Sequence, residues 1–218
     1  MLISENSSGY KQKLEVPKWI VVIGANTGGP QALLQLLPQF PAHFSGAIVV
    51  VQQMRPGFTR VLVDQLSQVC KLPVCEPDDG QALRSGQIII APVGSRLIVA
   101  NVDDSVLPAY SVFLEEVAEQ IEIKHSRTDA AMTSAADVFK TNSIGVLLTG
   151  LGTDGREGMR AIRASGGITL AQDQASSVVH DLAASAIEAE IVQDVLPLWS
   201  IANHIVNIVE GEAHAAAA

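Results

Sequence analysis

Basic residues are few in this chain: 14 Lys and Arg stand against 23 Asp and Glu, a formal charge of -9. Nucleic acid and anionic lipid both demand clustered Lys and Arg, so neither is an expected partner. Aromatic residues make up only 4% of the sequence, and no basic stripe carries them as a stacking platform. Apolar runs longer than a strand are missing, which excludes membrane insertion as an expectation. The opening residues Met1 to Lys13 are polar and lack the apolar segment of a signal peptide, so a cytoplasmic location is expected. Cysteine is nearly absent. Cys70 and Cys75 have no second pair and no neighbouring histidine, and they read as buried reduced thiols. His43, His125, His204 and His214 are scattered and form no metal set with them, so neither a metal nor a cofactor is expected.

What is abundant is Ala, Val, Ile and Leu. Apolar residues reach 48% of 218, enough for one full core, and the composition suits a buried parallel sheet covered by helices. Residues 1–17 read as a polar tail or linker, 18–211 as one domain and 212–218 as a disordered tail. Within the domain the patterns alternate. Trp19–Ile23, Gly46–Val51, Ile144–Leu148, Ile168–Ala171 and Ile191–Val195 read as strands. Pro30–Leu37, Thr59–Val69, Thr128–Lys140, Glu157–Ala164, Leu182–Ala189 and Leu198–Val209 read as helices. Val61, Leu62, Leu66 and Val69 are expected on the buried side of the second helix.

Between Pro73 and Val102 the texture changes. The runs Ile88–Ile90 and Leu97–Val102, punctuated by Asp78-Asp79-Gly80, Ser85-Gly86 and Pro92-Val93-Gly94, read as an antiparallel hairpin excursion. In Ser111 to Lys124, the residues Glu115, Glu116, Glu119 and Glu122 are expected on a solvated helix face, in preference to an acidic docking surface. The whole reads as a three-layer, doubly wound α/β fold with a mostly parallel, Rossmann-like sheet, which takes ligands at the carboxyl ends of its strands.

Three strand ends carry unusual local sequence: Gly24–Gly29, Gln52–Phe58 and Thr149–Gly155. In an open parallel sheet such loops converge on one edge, and their glycines allow close backbone approach. The first is a strand–turn–helix frame that presents Asn26 or Thr27, as hydrolases present a nucleophile. A carboxamide is no acyl-transfer nucleophile.

The blocks Gly24-Ala25-Asn26-Thr27-Gly28-Gly29, Gln53-Met54-Arg55-Pro56-Gly57-Phe58 and Leu148-Thr149-Gly150-Leu151-Gly152-Thr153-Asp154-Gly155 resemble the signature loops of the chemotaxis protein-glutamate methylesterases, the CheB catalytic domain. Asp79-Gly80, Gly86–Pro92, Asp129 with Thr133–Ala136, and Ala171–Val179 extend the resemblance in the same order, over roughly Lys18 to Glu210. The resemblance implies cytoplasmic hydrolases that demethylate, and in many cases deamidate, chemoreceptor side chains through a Ser-His-Asp triad. Carried over, the serine falls on Asn26, the histidine on Gln53 and the aspartate on Asp154, with Gly24, Thr27, Gly28, Gly29, Met54, Leu151, Gly152 and His180 around the pocket. Leu151 replaces a methionine, Asp181-Leu182-Ala183 a Gly-Met-Pro stretch, Arg96 a histidine, and Ala91-Pro92-Val93 an Ala-Pro-Gly motif. The tail Met1–Pro17 leaves no attached receiver domain to be expected.

Asn and Gln can neither attack nor shuttle a proton, and losing both costs on the order of 10⁶ in turnover. The first expectation is therefore a catalytically silent domain that binds a chemoreceptor cytoplasmic segment or another chemosensory protein. The alternative is a weak methylesterase or deamidase that uses Thr27, or a water activated by His180 or Asp154. A nucleotide-binding loop is disfavoured because the spacing matches neither GxGxxG nor a phosphate-binding Gly-Lys-Ser/Thr. Three local expectations follow. Asn26 and Gln53 would hydrogen-bond each other and shut the pocket. Thr27 would bond the turn or the helix start. Asp154 would cap the helix beginning near Gly155.

Overall fold

The computed structural model describes residues 16–104, 107–116 and 127–215. The predicted tail therefore lies almost wholly outside the described residues, as do Glu119, Glu122 and His125. A seven-stranded sheet forms the centre, in the order β10-β9-β8-β1-β2-β5-β3, and every pairing in it is parallel. Its strands are β1 (Ile20–Ala25), β2 (Ala47–Gln52), β3 (Val74–Cys75), β5 (Gln87–Ile90), β8 (Ser143–Leu147), β9 (Ile168–Gln172) and β10 (Asp194–Leu196).

Two cores follow from the period-two alternation of these strands. Val21 and Ile23 of β1, with Ile48 and Val50 of β2, face α1 (Gly29–Leu36), α2 (Phe58–Val69) and α6 (Leu198–Ala215). Ile20 and Val22, with Ala47, Val49 and Val51, face α3 (Arg127–Phe139), α4 (Arg156–Ala164) and α5 (Asp181–Ile187). Burial on both faces is why the strands read as continuous apolar runs. The predicted three-layer architecture is the one observed.

The excursion is a separate three-stranded antiparallel sheet, ordered β4-β7-β6, of β4 (Gln81–Ala82), β6 (Ser95–Asp104) and β7 (Leu107–Glu116). Two predictions need correction here. Ile88–Ile90 does not belong to the excursion, because β5 pairs in parallel with β2 and β3, with all four of its residues buried. Glu115 and Glu116 lie on a strand, where they pair with Arg96 and Ser95, and not on a helix. Their alternation with Phe113 and Leu114 is compatible with either period over so short a stretch.

The buried side of α2 is Thr59, Leu62, Val63 and Leu66, whereas Val61 and Val69 are each 49% exposed. The i, i+3, i+4, i+7 set starts at Thr59, two residues before the predicted stripe. The last helix continues through Gly211 to Ala215. Among the described residues, no helix is long and apolar enough to cross a membrane.

Both cysteines are free and half-buried. Burial pushes the Cys70 thiol up to about 11. Since the thiolate is the nucleophile, alkylation of Cys70 in the folded chain should climb about tenfold per pH unit from pH 8 to pH 10. Peptide mass spectrometry after timed iodoacetamide pulses reads this. A rate that levels off near pH 9, as for an ordinary thiol of pKa about 8.5, would contradict it.

Candidate functional site

The strands β1, β2 and β8 lie side by side in the centre of the sheet; the chain builds outward from β1 through β2 on one side and from β8 through β9 on the other. That is the topological switch point, where the loops after adjacent strands diverge and leave a crevice. The three loops singled out in the sequence follow these three strands. Each enters its helix through a left-handed glycine: Gly28 (φ 82°) for α1, Gly57 (φ 85°) for α2 and Gly155 (φ 111°) for α4. At Gly28 space adds to conformation, because a Cβ there would sit 2.8 Å from the Val178 Cβ.

Asn26 emerges first from this edge. Its Oδ1 accepts the backbone N–H of Thr27 at 2.5 Å and that of Leu151 at 2.6 Å, while its Nδ2 donates to the Leu151 carbonyl at 2.7 Å. The carboxamide is thus closed in a ring with the backbone of Leu151, which joins the β1 and β8 loops. Gly150 makes this approach possible, since a Cβ there would lie 2.4 Å from the Asn26 Oδ1.

Gln53, at the end of the neighbouring strand, is exposed and donates from Nε2 to the Asp154 Oδ2 at 2.9 Å. Asn26 and Gln53 make no hydrogen bond to each other, which overturns the predicted closure of the pocket by that pair. Each amide has a nearer partner, the Leu151 backbone in one case and a carboxylate in the other.

The Asp154 carboxylate also accepts the N–H groups of Thr128 at 3.0 Å and Asp129 at 3.2 Å. It therefore caps α3, across the interface, and not α4 as predicted. The first turn of α4 is served in return by Asp129, whose Oδ1 accepts the Gly158 N–H at 2.7 Å. The two helices exchange their terminal carboxylates, an arrangement no local sequence rule describes.

Asn26, Thr27, Gln53, Leu151 and Gly152 line one cavity of about 400 Å³. Met54 lies instead in a second cavity of about 360 Å³, with Pro30, Arg55, Phe58, Val61, Leu62 and Gln65. Gly24, Gly28 and Gly29 shape the turn without lining the first cavity. The Thr27 hydroxyl has no hydrogen-bond partner among the described residues, so it does not cap α1 as predicted; the left-handed Gly28 begins that helix.

His180 does not line the cavity either. The backbone around it is pinned by the bonds Gly150 N–H to the Val179 carbonyl and Leu182 N–H to the Gly150 carbonyl, both 2.8 Å. Its Nδ1 lies 3.5 Å from the Ser177 Oγ, at the entrance to α5.

Three supporting residues had no assigned role in the sequence. The Thr149 Oγ1 accepts the Val179 N–H at 3.0 Å and lies 2.9 Å from the Thr27 carbonyl, joining two loops. Gln172 accepts the Thr149 N–H at 2.9 Å and donates to the Ser176 carbonyl at 2.7 Å. Gln52 donates to the carbonyls of Asn26 and Gln53. All three are buried polar residues at the ends of apolar strands, and that was the available signal.

The family model described as CheB methylesterase matches residues 21–205. A protein-glutamate methylesterase/protein-glutamine glutaminase of Carboxydothermus hydrogenoformans is 40% identical over 186 residues, which are 85% of this chain and 54% of that protein. A protein of the same description from Pyrococcus horikoshii is 36% identical over 201 residues, 92% of this chain and 53% of the relative. The chain thus spans about half the length of the curated relatives it matches. The crystal structure of the Thermotoga maritima CheB methylesterase catalytic domain is similar with a TM-score of 0.82 at 34% identity, covering 88% of this chain and 98% of that one.

Proposed function

The chain belongs to the CheB methylesterase family, and from that premise we propose that it is a chemosensory methylesterase-like domain without hydrolytic activity. In this reading Asn26 takes the place of the nucleophilic serine, Gln53 that of the histidine, and Asp154 remains as the third member. The domain acts by binding, and its partner is a chemoreceptor cytoplasmic segment or another chemosensory protein.

One observation carries the reading: Gln53 donates to Asp154 as an imidazole N–H would. The nitrogen of that amide can donate in an imidazole's stead, but its other polar atom is an amide oxygen, which takes no proton near neutral pH. Asn26 adds the second loss, because an amide nitrogen has no free electron pair for attack. Free backbone donors and positioning would together supply at most about 10³-fold over water, too little for a signalling esterase.

A weak hydrolase remains as a second reading on a specific ground: Thr27 lines the same cavity, and its hydroxyl has no hydrogen-bond partner among the described residues. Methanol and ammonia release from a methylated receptor cytoplasmic domain separates the two. The parent chain and Thr27→Ala should both stay at the level of the blank, while the receptor domain is still retained on immobilised chain. Turnover by the parent that Thr27→Ala abolishes would establish the hydrolase instead.

A further inference from the structure

The N–H groups of Thr27 and Leu151 converge on a single oxygen, at 2.5 and 2.6 Å. One donor belongs to the residue that follows Asn26 on the strand–turn–helix frame, and the other to the loop after the adjacent strand β8. Hydrolases built on such turns use a pair of this origin to hold the developing oxyanion of the substrate. Here the oxygen between the donors is the chain's own Asn26 Oδ1.

We propose that this N–H pair is an oxyanion-binding site and that the Asn26 carboxamide is its resident internal ligand, so that carbonyl and carboxylate oxygens from solvent are kept out. The proposal rests on the reading that Asn26 stands in the nucleophile's place. It adds that the substitution blocks the site besides disarming it.

The chemistry of the occupant fits. A carboxamide carbonyl is an acyl oxygen with partial negative charge, the kind of acceptor such donors are placed for. The third bond, from Nδ2 to the Leu151 carbonyl at 2.7 Å, holds the group in place. Gly150 leaves it room, since a side chain there would meet Oδ1 at 2.4 Å and Cγ at 2.8 Å. A ligand already carried by the loop loses no translational freedom on binding, so a free oxygen ligand cannot displace it at ordinary concentrations.

The test compares ¹⁵N-labelled parent chain with Asn26→Ala, following the Thr27 and Leu151 amides by NMR with sodium acetate as the probe and sodium chloride as the ionic-strength control. In the parent both amides should exchange slowly with deuterium and stay unmoved by acetate up to about 0.2 M, a range suited to a two-bond ligand. In Asn26→Ala their exchange should be at least about tenfold faster, while Val22 in β1 is unaffected. Both should then shift together and saturably with acetate. Asn26→Ser, read in the same way, serves if the alanine variant does not fold. Acetate shifts in the parent equal to those in the variant would overturn the proposal, as would unchanged exchange after the side chain is removed. Neither result touches the question of turnover, and an active parent chain would remove the preceding reading while leaving these amides as they are.

Discussion

On the proposed reading, placing a nucleophile and a base together, Asn26→Ser with Gln53→His, is expected to raise hydrolysis of a receptor glutamyl methyl ester by about 10³-fold or more, while either substitution alone gives less than about tenfold. The asymmetry follows from how such groups act. A serine without a base is an ordinary alcohol, and a histidine without a nucleophile has only water to activate, so the gain belongs to the pair. The remaining parts are in position. Asp154 already receives a hydrogen bond from residue 53 at 2.9 Å, so an imidazole N–H there finds its orienting carboxylate. Removing the Asn26 carboxamide also frees the Thr27 and Leu151 N–H groups for the substrate oxygen. Methanol release from methylated receptor domain is the measurement. A folded double variant that stays at the blank would place the defect beyond these two residues. The α5 entrance at Asp181-Leu182-Ala183, where the resemblance implies a Gly-Met-Pro stretch, is the next place to look.

The scaffold and the meeting of the three loops were legible because they depend on period and on glycine placement, both local properties. Short, β-branched runs such as Ala47–Val51 suit strands buried on two sides, and a parallel sheet gathers its strand ends on one edge. The resemblance to a known family then grouped Asn26, Gln53 and Asp154; the first two line one cavity, and Asp154 stands behind it, bonded to Gln53. What was not legible is where each polar group finds its partner. Asn26 offered a neighbouring amide, Gln53, as an obvious partner in sequence logic, but its carboxamide meets a peptide backbone 125 residues away. Asp154 offered the helix immediately after it, but it serves a helix that starts 27 residues earlier. Helix α2 shows the same limit on a smaller scale: its stripe was shifted by choosing Val61 and Val69 over Thr59 and Val63. Apolar identity alone does not say which of two adjacent faces the sheet covers.

Truncating Asp154 to alanine should be the costliest of the single polar changes at the site, a loss of roughly 2–4 kcal/mol of stability. For a domain of this size that is a fall in Tm of about 4–16 °C. The carboxylate satisfies the Thr128 and Asp129 N–H groups at the start of α3, and Thr128 is buried, so its donor would be left without water as well as without the carboxylate. The helix dipole adds to the loss, since a negative charge at that end is favourable. Gln53→Ala is the informative contrast. It removes a different bond to the same carboxylate, but Gln53 is exposed and its loss orphans nothing buried, so the cost should stay below about 1 kcal/mol. Asp154→Asn should fall between them, because it keeps an acceptor for α3 but gives up the charge. Thermal or denaturant melts of the three variants decide the point. If Asp154→Ala and Gln53→Ala were equally mild, the carboxylate would be serving residue 53 alone. A large gap between them makes Asp154 a cap held in place for structural reasons, which on the proposed reading accounts for an aspartate that has neither a serine nor a histidine to serve.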